Sequence, residues 1–536
     1  MTIDLTGTWS RDHNTGRGQH CVVVRENVPL AGLLPDGFYE DCAESDPFEI
    51  SANVAQITDV ESYGTWMTAQ WDVGDAGWID DVLVKSLTSW REQVPRVRFD
   101  VDSTQTLVVQ ISGTGGGNVL DGTPGFQRQI SEEVQLNATG LDGQIEFVTG
   151  AFGFWETATD ARTTWVLPPQ PGTPGLNQIT NGATDISNWT WALYGQATWD
   201  VTDWASLTAG LRYTQDKKGL TFVQTDPRDG DVFADESGDE VFPAWTPMAS
   251  IALIAPEDWF ANTPVEYLMA YFTYSQGFKG GGFNGVVTSR SGAGQGVAFS
   301  FEPETLNNFE IGVKTIAWED LATLNLAFYL GKYDDIQQTS VRDIGDPDGD
   351  GVPNIERLTL NAAEATTKGF EIELNTNPID GLLATGNVGL VDGVYDSWPD
   401  ALSDFDGSTI DRSGEPFLFV PKWQTFIGVQ YSFPLGLDAD APMAGWLTPR
   451  LEWGYQSKVL WLGPEVPQGT QPGFNLLNAR LSYDFFDDRA QVALWAKNLL
   501  DSEYFVDATP IVSTFGVLTR AFAPPRTFGA EISYRL

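Results

Sequence analysis

The segment Asn188–Asp200 alternates. Trp189, Trp191, Leu193, Gly195, Ala197 and Trp199 fall on one side of an extended chain, with Asn188, Thr190, Gln196, Thr198 and Asp200 on the other. After the short turn Val201-Thr202-Asp203, the run Trp204–Thr214 repeats the pattern. Ala205, Leu207, Ala209, Leu211 and Tyr213 there oppose Ser206, Thr208, Gly210, Arg212 and Thr214. Successive side chains of a strand point to opposite faces, so this is a hairpin with one apolar and one polar side. The pattern recurs where Phe309, Ile311 and Val313 oppose Asn308, Glu310 and Lys314, and where Phe370, Ile372 and Leu374 oppose Gly369, Glu371 and Glu373. It closes the chain, with Phe528, Ala530, Ile532, Tyr534 and Leu536 opposing Thr527, Gly529, Glu531, Ser533 and Arg535.

A soluble antiparallel sheet alternates in the same way, with its apolar face in a core. Strand length and loop order separate the two cases. The predicted strands run roughly 9–14 residues, against about 5–6 in soluble sheets and about 9–11 for tilted membrane strands. Short connections fall near Gly74–Gly77, Thr139–Gly143, Val201–Asp203, Trp318–Asp320, Asn375–Gly381 and Phe486–Arg489. Long ones alternate with them, near Arg11–Asp59, Glu92–Gly125, Thr157–Ser187, Lys217–Val241, Gly277–Glu304, Asp335–Ile355, Ser397–Pro421 and Asp501–Arg526. Short turns on one side and long loops on the other define an all-β, transmembrane antiparallel β-barrel of the outer-membrane kind. Roughly eighteen strands are expected on this count. No apolar stretch reaches the about 20 residues of a spanning helix. Trp189, Trp199 and Trp204 are expected in the interfacial aromatic girdles. No linker divides the chain, so residues 1–536 are expected to form one unit.

With 30 basic and 73 acidic residues, the formal net charge is −43, which argues against nucleic acid as a partner. Two cysteines and two histidines are too few for a zinc or haem site. Cys21 and Cys42 share one loop-like stretch and are candidates for a local disulfide in an oxidising compartment. Gly113–Gly117 is glycine-rich but opens no helix after a strand, which leaves it a loop. Asp346, Asp348 and Asp350 place oxygens at alternate positions before Gly351, a spacing that suits Ca²⁺. Arg357 stands where an EF-hand needs a bidentate Glu, so a plain acidic loop remains the alternative. In Gly277–Gly285, Phe278, Lys279, Phe283 and Asn284 are the candidate substrate-facing residues, with tight packing at a barrel rim as the alternative. No nucleophile–base pair or paired-carboxylate pattern points to catalysis, and no other cofactor is expected. Met1–Gly7 has neither the basic nor the apolar region of a secretory signal, so either the membrane reading fails or the natural N-terminus lies upstream.

Several stretches resemble the barrel of TonB-dependent receptors. They are Trp191–Asp200 with Leu207–Thr214, Tyr274–Asn284, Phe301–Lys314, Asn361–Glu371, Trp495–Asp501 and the closing Pro525–Gly529. The resemblance implies a Gram-negative outer-membrane receptor with a barrel of about 22 strands, of which about four are missing here. The family's N-terminal plug and TonB box are absent from the sequence. The function implied is energised uptake of a scarce solute, such as an iron–siderophore complex, cobalamin or a glycan. A passive porin is the alternative. The partners implied are outer-membrane lipid and lipopolysaccharide, the barrel-assembly machinery, a small-molecule substrate, and the TonB complex acting through the missing N-terminal region.

Overall fold

The computed structural model describes residues 1–15, 18–28, 31–43, 48, 56–77, 79–101, 103–104, 109–112, 125–166, 178–228, 230–284, 300–343, 355–435, 444–486 and 489–535. One antiparallel sheet dominates, built from twenty strand segments. Two are short. Val109–Ser112 extends the sheet between two longer strands, and Phe433–Leu435 continues another. The eighteen long strands begin with β1 (Thr2–Asn14), β2 (Ile57–Ala76), β3 (Ile79–Asp100), β4 (Phe126–Gly140), β5 (Ile145–Val166) and β6 (Gln178–Thr202). Next come β7 (Ala205–Thr225), β8 (Val232–Ile254), β9 (Val265–Lys279), β10 (Glu304–Ala317), β11 (Ala322–Asp343) and β12 (Ile355–Thr376). The last are β13 (Leu382–Ser397), β14 (Trp423–Tyr431), β15 (Gly445–Gln456), β16 (Phe474–Phe485), β17 (Ala490–Lys497) and β18 (Thr527–Tyr534).

Each long strand pairs with its neighbours in sequence, from β1–β2 through to β17–β18. Among the described residues no pairing joins β1 to β18, so each has a main-sheet neighbour on one side only.

The register sorts the faces as the alternation predicts. Trp199 pairs with Leu207, Ala197 with Ala209 and Leu193 with Tyr213. Leu207, Ala209 and Leu211 are exposed on the outside, while Thr208 and Arg212 are half-buried on the inside. Thr198 and Thr208 share an inner hydrogen bond of 2.9 Å between their hydroxyls. An outer aromatic ladder runs Trp191–Tyr213–Trp245, with centroids 5.5 and 4.7 Å apart. From Trp189 to Trp199, at about 3.3 Å per residue and a tilt of about 40°, the height is about 25 Å, that of a barrel's apolar band. Lipid takes the place of a core along this band, and every backbone group there must be paired within the sheet. The short turns are built to match. Trp318, Glu319 and Asp320 all take left-handed backbone angles, and the Glu266 carboxylate accepts the N–H groups of Glu319 and Asp320.

Several strands are longer than the alternation suggested. The expected loops Thr157–Ser187 and Lys217–Val241 are largely strand, with β5 reaching Val166, β6 starting at Gln178, and Lys217 paired to Val241. Above the upper girdle no lipid lies against the outer face, and the inner face buries apolar Phe222 and polar Gln224 alike. Nothing there demands alternating polarity, so the hairpins continue without its signature.

Candidate functional site

On the long-loop side, Gly280–Asn284 leaves β9 and folds across the inner face of β7 and β8. Gly280 approaches the side chains of Asp216 and Lys218, and a Cβ on Gly281 would collide with Phe242 and the Phe301 carbonyl. Only glycine permits so close an approach. Gly282 and Phe283 pair with Phe301 and Ser300. Of the sequence-predicted residues, Lys279 is exposed, Phe278 and Phe283 are half-buried, and Asn284 is engaged by backbone. Its amide donates to the Thr359 carbonyl at 3.0 Å and accepts the Thr359 N–H at 2.7 Å, which imitates a strand pair. The same logic fixes the next segment. Asn361 brackets the Glu302 backbone at 2.7 Å in both directions. Buried Gln337 donates to the carbonyls of Gly280 and Glu302, both at 3.0 Å. Asp346, Asp348, Asp350 and Gly113–Gly117 lie outside the described residues.

The connections after β1, β13, β15 and β17 interlock. His20–Val23 pairs with the Val517–Phe522 strand, which pairs in turn with Phe505–Ile511. Cys21 and Cys42 are joined by a disulfide, and both pack with Phe38, Val101, Phe515 and Val517. A second cluster combines Leu462 and Val466 with Val512 and Leu518, against Val22, Val24 and Phe405. Arg25 lies 4.7 Å over the Phe405 ring.

At the centre of this cap is Arg412, 1% exposed, which the sequence reading did not single out. It pairs with Glu465 at 2.6 Å, Glu415 at 2.9 Å and Asp404 at 3.3 Å, and donates to the Leu402 carbonyl at 3.2 Å. Asp404 also accepts the Gly463 N–H at 2.7 Å. Burial pushes the Asp404 carboxyl above its ordinary range, whereas hydrogen bonds from Ser408 hold Asp406 below it. Arg412's partners come from two separate connections, so no local pattern announces them.

Below the cap the inner wall carries carboxylates held by neutral donors. Tyr194 Oη donates to Glu133 at 2.5 Å, while Glu156 accepts from Gln127, Gln129 and Asn188. Tyr271 Oη donates to Glu310 at 2.7 Å. Arg212 lies over the rings of Phe152 and Tyr194, at 5.4 and 5.7 Å. Among the described residues no group of three or more His, Cys, Asp or Glu side chains is placed to hold a metal ion.

A lipid-facing apolar band, a polar lumen and a structured external cap define an outer-membrane receptor barrel. Residues 31–499 match the family model for the TonB-dependent receptor-like β-barrel, and the chain belongs to that family. Its members are receptors and transporters of the Gram-negative outer membrane, not enzymes, and this chain is an outer-membrane receptor or transporter of their kind. Among solved structures, the ferric yersiniabactin uptake receptor FyuA from Yersinia pestis matches with a TM-score of 0.71 at 16% identity, over 99% of this chain and 68% of that one. The siderophore receptor PiuA from Acinetobacter baumannii matches at 0.67 and 14% identity, over 99% of this chain and 71% of that one. The ferric-catecholate import receptor Fiu from E. coli K12 matches at 0.63 and 14% identity, over 99% and 72% respectively.

Proposed function

We propose that this chain is the wall of an energised importer for a scarce solute of the ferric-siderophore class. The observation that carries the proposal is the match of residues 31–499 to the TonB-dependent receptor-like β-barrel. In this reading a plug and TonB box of the family's kind close the lumen that the wall surrounds. The named functions of FyuA, PiuA and Fiu support iron–siderophore cargo over cobalamin or a glycan. Phe278, Lys279 and Phe283 at the inner mouth are the proposed substrate-facing group. Asp346, Asp348 and Asp350 are proposed to order their loop with Ca²⁺, which calorimetry on Asp348→Ala checks. Lipopolysaccharide outside and the barrel-assembly machinery during biogenesis complete the set of partners.

Uptake of a labelled ferric siderophore by cells expressing the full-length protein tests the proposal. Transport is expected to stop with an uncoupler or without the TonB complex, while surface binding persists. Undiminished uptake under both treatments would make the protein a passive porin.

A further inference from the structure

Above the upper girdle, Arg162 on β5, Gly182 on β6 and Gln224 on β7 stand side by side in register. All three face inward. Arg162 shares the parity of lumen-facing Phe152, and Gln224 that of Arg212, with no register shift between. The Arg162 side chain crosses β6 over the glycine, its Cγ and Nε each 3.7 Å from where Gly182 would carry a Cβ. Phe222 closes the same spot, 3.9 Å from that point and 2% exposed.

Both polar groups in this row lack the partner their chemistry asks for. Among the described residues no carboxylate forms an ion pair with Arg162. Desolvation of the guanidinium works against its charge, and the Asp160 carboxylate offsets this only in part. The nearby Asp226 carboxylate is closed by Arg228, whose backbone N–H donates at 2.9 Å and whose Nε donates at 2.8 Å. Gln224 is 4% exposed, and its carbonyl oxygen is buried without a hydrogen-bond donor. Buried polar groups such as the Gln224 oxygen are normally satisfied, and the half-buried Arg162 guanidinium has no counter-charge in contact. A guanidinium offers only donors, in a fork that matches a carboxylate, while the glutamine oxygen only accepts.

We propose that this row is a binding pocket for an α-hydroxycarboxylate group, its carboxylate on Arg162 and its hydroxyl donating to Gln224. The group is borne by a free hydroxy acid or by a larger cargo. As an assignment of substrate class the proposal rests on the importer reading, but binding can be measured without transport.

Lactate titrated into the purified chain in detergent, followed by ligand-observed NMR, tests it. Propionate lacks the hydroxyl and lactamide lacks the charge. Lactate is expected to bind more tightly than either. Arg162→Met should weaken lactate by about tenfold to a hundredfold, and Gln224→Leu should reduce lactate to the level of propionate. Arg162→Met should also melt no lower than the parent, because it removes an uncompensated charge. Equal binding of lactate and propionate, no lactate binding, or unchanged binding in Arg162→Met would overturn the pocket. So would a melting temperature that falls in Arg162→Met, which would make the arginine structural. Lactate binding that survives while energised uptake fails would strike only the importer reading.

Discussion

The Arg412 guanidinium lies 2.6 Å from the Glu465 carboxylate and thereby ties the connection after β13 to the one after β15. Removing the cation strands Asp404, Glu415 and Glu465 together in a poorly hydrated site. Breaking a buried pair from one side typically costs about 3–5 kcal/mol. Arg412→Met is therefore expected to open the cap to protease between residues 398 and 422 while the detergent-resistant sheet stays folded. Protection equal to that of the parent would show that the ion cluster contributes little.

Asp404 gives the cap a pH dependence whose sign can be worked out. Its folded carboxyl holds a proton more tightly than the unfolded one, so the ionised form opposes the cap at neutral pH. That opposition fades as pH falls through the folded value. Asp404→Asn should thus make the cap more protease-resistant at neutral pH, with the advantage shrinking as the solution is acidified. Asp406 works in the other direction: its depressed carboxyl stabilises above the ordinary carboxylate range, and this is lost in acid. A variant at 404 that is weaker at neutral pH would mean that attraction to Arg412 outweighs desolvation.

Outward Leu207 and inward Thr208 are adjacent in β7 but face different solvents. Spin labels at the two positions should differ strongly in access to a lipid-soluble quencher, with 207 the accessible one. Equal access would contradict the barrel.

The Cys21–Cys42 bridge closes a segment of 21 residues, a loop length for which cross-linking is worth about 3 kcal/mol. Peptide mapping without reductant should recover the linked pair. Reduction should loosen the His20–Val23 strand, read as faster amide exchange there, and leave β6 and β7 unchanged.

The hairpin Asn188–Thr214 was legible because lipid and water, acting on opposite faces, write a period of two into the residues. The upper parts of β5 and β6 were not, since no lipid lies against their outer face to impose a period. The motifs that carry the family likeness turn out to hold backbone in place: Asn361 clasps Glu302, and Gly369 leaves room for Tyr329 beneath Leu390. Such residues report the architecture, not the cargo. Arg412 and Arg162 carry no motif, because their partners are set by loop packing and by register across strands.

Among the described residues the eighteen long strands pair only with those that follow or precede them in sequence, so the wall can grow hairpin by hairpin as the chain is threaded into the membrane. The bond from Thr519 to Gln19 spans 500 residues, and the ladder beside it shares that span. Its loop-closure entropy is offset only once both ends of the wall stand close together. The cap is thus the last part able to form, and protease resistance at His20–Val23 would time the completion of assembly in a cell.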